Sequence, residues 1–122
     1  AKFIILEDVE KFCYLSSKES VTASIFLVRG SRRAWASLES EAFKQPQKKL
    51  RLHAVTGTNG KSSVAWISSK LADISGVKSL YIGTLGAFFS NKRINISHTT
   101  PDPDCLYSLF DLCIKKTSKT FS

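Results

Sequence analysis

Nine consecutive residues, Val55-Thr56-Gly57-Thr58-Asn59-Gly60-Lys61-Ser62-Ser63, bring together the groups that hold a phosphate: glycines, a lysine and hydroxyls. Gly57 and Gly60 can take backbone angles closed to other residues, which lets the main chain approach an anion. Successive N–H groups then face one concavity, and a helix starting there adds a dipole that favours negative charge. Lys61 supplies a full positive charge for terminal phosphates, and Ser62 a hydroxyl for a phosphate-bound Mg²⁺. The spacing departs from the Walker pattern G-x-x-x-x-G-K-[ST], because the residue five before Gly60 is Val55 rather than glycine. The shorter G-T-N-G-K-S loop argues against an ordinary GTPase or nucleotide kinase. The plain alternative is a chance Gly-Lys-Ser turn, and the flanking elements weigh against it.

Those elements are a strand before the loop and a helix after it. Leu50 to Thr56, LRLHAVT, reads as the strand, with His53 as a structural residue within it. From about Lys61 a helix begins, with Val64, Ile67, Leu71 and Ile74 on one face and Gly76 as a fitting stop. Lys78 to Ile82 reads as a further strand, and YIGTLG (81–86) as a buried strand ending in a glycine turn. AFFS and RINIS around Asn91-Lys92 read as a hairpin. Thr99-Thr100-Pro101-Asp102-Pro103 leads into a last helix, with Asp102 as its cap and Cys105, Leu109, Leu112 and Cys113 as its buried stripe. This alternation from residue 50 onward predicts a parallel α/β sheet.

Upstream, KFIIL (2–6) and VTASIFLV (21–28) read as strands. Ser31 to Phe43 takes a helical period through Ala34, Leu38 and Ala42, with Trp35 beside them. KQPQKK (44–49) is polar and basic and contains Pro46; it reads as a linker or exposed turn and as a domain boundary. Three lysines there without interleaved aromatics or arginines fit a solvated connection better than a nucleic-acid patch.

At 122 residues the chain has room for one domain or two incomplete pieces. A hydrophobic fraction of 43% and a charged fraction of 23% are ordinary for a globular protein. The net charge of +8 favours anionic partners without choosing among nucleic acid, membrane surface and small phosphorylated molecules. No apolar run approaches the ~20 residues of a membrane helix. The start lacks the features of a signal peptide, and the chain begins at Ala1 and has no methionine; either a leader has been removed or this is a piece of a longer protein. Cys13, Cys105 and Cys113 make neither a paired framework nor a zinc spacing, and read as core cysteines in a reducing cytosol.

Three segments taken in order, VTGTNGKSS (55–63), YIGTLG (81–86) and TTPDP (99–103), resemble the Mur ligase family of peptidoglycan synthesis. The helix over 31–43 and the Phe43-Lys44-Gln45-Pro46 stretch resemble, more loosely, the end of that family's N-terminal domain. The resemblance implies an α/β chain in which 1–46 is a partial N-terminal UDP-substrate domain and 47–122 the start of a P-loop-type, parallel-sheet ATPase domain. It implies an ATP-dependent amide ligase of the branch that adds a diamino acid, diaminopimelate or lysine, to UDP-N-acetylmuramoyl-L-alanyl-D-glutamate through an acyl phosphate. Carried over by position, Gly57, Thr58, Asn59, Gly60, Lys61, Ser62 and Ser63 bind ATP. Lys61 neutralises the β- and γ-phosphates and is the catalytic residue, Ser62 holds Mg²⁺, and His98, Thr99 and Thr100 contact the UDP-muramoyl substrate. His98 stands where the family has asparagine, and an imidazole replaces only part of an amide's donor–acceptor pair. Ser62-Ser63 stands for the commoner Thr-Thr with its hydroxyls retained.

The family's further Mg²⁺-binding acid, its carbamylated lysine and its C-terminal amino-acid domain are not found in this sequence. The chain alone is therefore expected to be inactive, in a cytoplasmic setting without membrane or nucleic-acid partners. Folylpolyglutamate synthase shares a GTNGK loop, but Ser62-Ser63 and the TTPDP segment point away from it. A basic nucleic-acid-binding module would rest on net charge alone, with no aromatic RNA motif or helix-turn-helix behind it.

Overall fold

The computed structural model describes residues 2–96 and 98–118. Its elements are β1 (Phe3–Leu6), α1 (Val9–Ser16), β2 (Ser24–Leu27), α2 (Ser31–Ala42), α3 (Lys61–Ile74), β3 (Leu80–Gly83), β4 (Gly86–Phe89), β5 (Lys92–Ile94) and α4 (Pro103–Ser118), with a 3₁₀ turn over Pro46–Lys49. The class is α/β, as expected. Two compact units form, Ala1–Leu38 and Glu39–Ser122, the division falling within α2.

The first unit is a βαβ arrangement. β1 and β2 pair in parallel from Phe3↔Ser24 to Leu6↔Leu27, and the intervening α1 makes that direction possible, since a parallel pair needs a crossover. Asp8 caps α1 by accepting the Lys11 N–H at 3.1 Å. Helix α1 has no counterpart in the sequence reading, although Asp8 followed by Val9, Phe12 and Cys13 carried the signal. Cys13 is exposed rather than part of a core.

The second unit places its core between α3, the strands and α4. Tyr81, Ala87 and Phe89 from the sheet and Leu109 and Cys113 from α4 are buried. Trp66 of α3 meets Tyr81 and Phe88 edge-on, at centroid distances of 5.2 and 4.9 Å, a favoured aromatic geometry. Ser79, just before β3, donates backbone N–H and hydroxyl to Asp73 Oδ1, both at 3.0 Å, which ties the end of α3 to the sheet. The stretch expected to be an exposed linker is instead packed: Pro46 is fully buried and the 3₁₀ turn lies against α4.

The sheet of this unit is antiparallel, in the order β3-β4-β5, whereas a parallel sheet was expected from residue 50 onward. The physical reason is loop length. Only Thr84 and Leu85 separate β3 from β4, with Gly83 opposite Gly86, and so short a connection returns the chain antiparallel. The hairpin expected around Asn91-Lys92 is present as β4 and β5, from Ala87↔Ile94 to Phe89↔Lys92. The segment expected as a strand over 50–56 forms no ladder, and residues 51–56, His53 among them, are exposed. A strand needs a neighbour to take up its backbone groups, and the described residues offer it none.

Candidate functional site: an open helix start

The phosphate-type loop lies at the start of α3. Gly57 and Gly60 both have positive φ, at 144° and 76°, the region that glycine enters without a Cβ penalty. Gly60 is the N-cap residue, and no side chain caps the helix there. The first N–H groups of α3 are therefore without the side-chain acceptor that usually serves them. Residues 57–61 and Ser63 are exposed and Ser62 half-buried, so Thr58, Asn59 and Ser63 are reachable from solvent as the sequence reading requires.

Lys61 folds back over its own loop. Its Nζ donates to the carbonyl oxygens of Gly57 at 2.5 Å and Thr58 at 3.1 Å. This holds the ammonium above the loop, where a phosphate would sit among the N–H groups. Charged phosphate oxygens are stronger acceptors than neutral carbonyls, so an arriving phosphate competes well for the same protons. Ser62 Oγ lies 2.8 Å from Thr84 Oγ1 in the β3–β4 turn. Thr84 falls in the YIGTLG stretch, whose sequence reading was structural only. Nothing local marked it as a partner of the loop, because the contact spans 22 positions of sequence.

A hard, half-exposed oxygen at the second residue of the helix suits Mg²⁺, which takes oxygen ligands and commonly leaves most of them to phosphates and water. Among the described residues no three His, Cys, Asp or Glu side chains converge as a metal site. His98, Thr99 and Thr100 are exposed in the bend that leads into α4. Their neighbours at the helix start act on Cys105: its thiol is pushed up by burial and, next, by the charges of Asp104 and Asp102. Burial raises Cys113 likewise. Both thiols are thereby shifted away from the reactive thiolate form. No described helix is long and apolar enough to cross a membrane.

A flexible cation over an uncapped, glycine-hinged helix start defines a candidate anion-binding loop on an α/β frame. Comparison with known proteins makes the assignment narrower. The chain is 36% identical over 107 residues to the UDP-N-acetylmuramoyl-L-alanyl-D-glutamate–2,6-diaminopimelate ligase of Clostridium perfringens, covering 88% of this chain and 20% of that protein. It is 30% identical to the ligase of the same name from Clostridium botulinum, over 97% of this chain and 25% of the relative. With that of Chlorobaculum tepidum it shares 35% identity over 79% of this chain and 19% of the relative. The resemblance to the Mur ligases drawn from the three motifs is thus shown by similarity along most of the chain. The chain spans about a fifth to a quarter of the length of these relatives. No family model matches it.

Proposed function

We propose that this chain is the ATP-binding segment of a Mur-type ligase, one that joins a diamino acid to UDP-N-acetylmuramoyl-L-alanyl-D-glutamate in the cytoplasm. The observation that carries the reading is the GTNGKSS loop, with both glycines at positive φ and an uncapped helix behind it, in a chain similar to diaminopimelate ligases. ATP, when bound, would supply the phosphoryl group that turns the substrate carboxylate into an acyl phosphate; the incoming amine would then attack the acyl carbon, forming the amide and displacing inorganic phosphate.

The loop's part in this is positioning and charge neutralisation, the main contributions of protein to phosphoryl transfer. The N–H groups after Gly57 surround the phosphates, Lys61 exchanges its carbonyl partners for β- and γ-phosphate oxygens, and Ser62 offers an oxygen to Mg²⁺. His98, Thr99 and Thr100 contact the UDP-muramoyl substrate. Residues 1–46 end the substrate-binding domain, and 47–122 begin the ATP-binding one. Diaminopimelate is favoured over lysine because the relatives' names specify it.

The test is phosphate release from ATP by the protein that carries this chain, supplied with UDP-N-acetylmuramoyl-L-alanyl-D-glutamate and either diamino acid. Release that requires both partners and prefers diaminopimelate supports the reading. Release indifferent to the nucleotide-linked dipeptide overturns it.

A further inference from the structure

We infer that Thr84 is a positioning residue for the Ser62 hydroxyl, turning its lone pairs toward a nucleotide-bound divalent cation. This rests on the reading of Ser62 as a Mg²⁺ ligand and adds to it a residue outside the loop.

A serine hydroxyl has one proton and two lone pairs. An oxygen that meets a cation must direct its proton elsewhere, and a buried or half-buried proton needs an acceptor. A helical serine commonly uses the carbonyl four residues back. For Ser62 that residue is Thr58, which lies in the loop before α3 and not in a helical turn. Thr84 Oγ1, at 2.8 Å, is the partner Ser62 Oγ has.

Thr84 is well placed for the task. It is the first of two residues between β3 and β4, so the Gly83↔Gly86 pairing holds its backbone. The sheet is in turn held to α3 by Trp66 against Tyr81 and Phe88. The two hydroxyls therefore sit at one end of a helix–sheet contact that is fixed farther along by aromatic packing. Outer groups that orient a metal ligand affect affinity about 10–100-fold.

The experiment measures ATP affinity in the protein carrying this chain, once with Mg²⁺ and once with EDTA, for wild type, Thr84→Val and Thr84→Ser. The valine keeps the branched shape and removes the acceptor. The expected result is that Thr84→Val lowers the Mg²⁺-dependent gain in affinity about tenfold, leaves the affinity in EDTA unchanged, and is rescued by Thr84→Ser. In a Ser62→Ala background, Thr84→Val is expected to add nothing, which a merely structural role for Thr84 would not produce. Thr84→Ala replaces the valine variant if the latter melts early. A wild-type Mg²⁺ gain in the acceptor-less variant, or an equal loss with Ser62 already removed, overturns the inference alone. A wild-type protein that binds ATP in neither condition overturns the phosphate-loop reading and the inference together.

Discussion

Helices α1 and α2 begin at carboxylates, while α3 begins at a glycine. Asp8 accepts the Lys11 N–H at the start of α1. Glu7, one residue earlier, reaches the start of α2, where its Oε2 accepts the Ser31 N–H at 3.0 Å and the Ser31 hydroxyl at 2.8 Å. Both carboxyls are held below the usual range, Glu7 chiefly by the Ser31 backbone N–H and Asp8 chiefly by that of Lys11. At α3 no side chain fills the equivalent place, and Gly60 and Lys61 stand there instead. All three starts present the same unpaired N–H groups and the same favourable dipole. In the first unit the chain's own acids use them; at α3 the N-cap residue Gly60 offers no side chain to do so.

The largest effect on this contrast is expected from Lys61→Ala. It removes a charge-assisted phosphate contact, worth about 1.5–3 kcal/mol of ATP affinity. Melting should hardly move, because Lys61 touches only exposed loop carbonyls. Calorimetric titration and a thermal melt separate the two, and a lysine-free loop that binds ATP normally would break the comparison.

Next comes Gly60→Ala. A Cβ there meets nothing within 4 Å, so any cost is conformational, about 1–2 kcal/mol for a side chain held at this φ of 76°. Urea unfolding should read that loss. An unchanged midpoint would mean that the loop relaxes to another conformation, which phosphate affinity would then report.

A pH titration sharpens the other side of the comparison. Glu7 and Asp8 have lowered pKa values in the folded chain, so their contribution to stability is complete above their ordinary values of about 4.3 and 3.9. It is lost as the pH falls through the lowered ones. Glu7→Gln and Asp8→Asn should flatten this acid limb for the first unit, with no change near pH 7 in ATP binding by the α3 loop. Backbone amide shifts of Ser31 and Lys11 followed by NMR would show it.

The smallest effect is expected on the outer face of α3. Val64, Ile67, Leu71 and Ile74, the apolar residues of one face, are all exposed, Ile74 at 82%. Leu71→Ala should change the stability of the 122-residue chain by no more than about 0.5 kcal/mol. Leu109→Ala in α4, at 6% exposure, should cost about 2–5 kcal/mol. Chemical denaturation of the two variants side by side checks the difference.

That face shows where reading a sequence stops. The period of four apolar residues placed α3 correctly between Lys61 and Ile74, but a period only says that a stripe exists. The stripe facing the sheet is a different one, carried by Trp66 and the half-buried Ala65, Ser69 and Lys70. Lys70 contributes by lying 4.3 Å over the Trp66 ring while donating to Asn91 Oδ1. A polar name at that position hid a packing role, since a lysine stem covers apolar surface while its ammonium bonds at the edge.

The sequence by itself determined the local features: glycines where φ is positive at 57 and 60, the start and stop of α3, the Asn91-Lys92 hairpin, Pro103 at the first position of α4, and three motifs whose order matches the Mur ligases. Each depends on a residue's own backbone preferences or on neighbours within a few positions. Only the tertiary structure decided that residues 51–56 stay exposed, that Pro46 is buried, that Glu7 caps a helix 24 positions away and that Ser62 meets Thr84. Those outcomes depend on which distant segments find each other, and the pairing of backbone and apolar surface between segments is set by the whole fold and not by any one stretch of it.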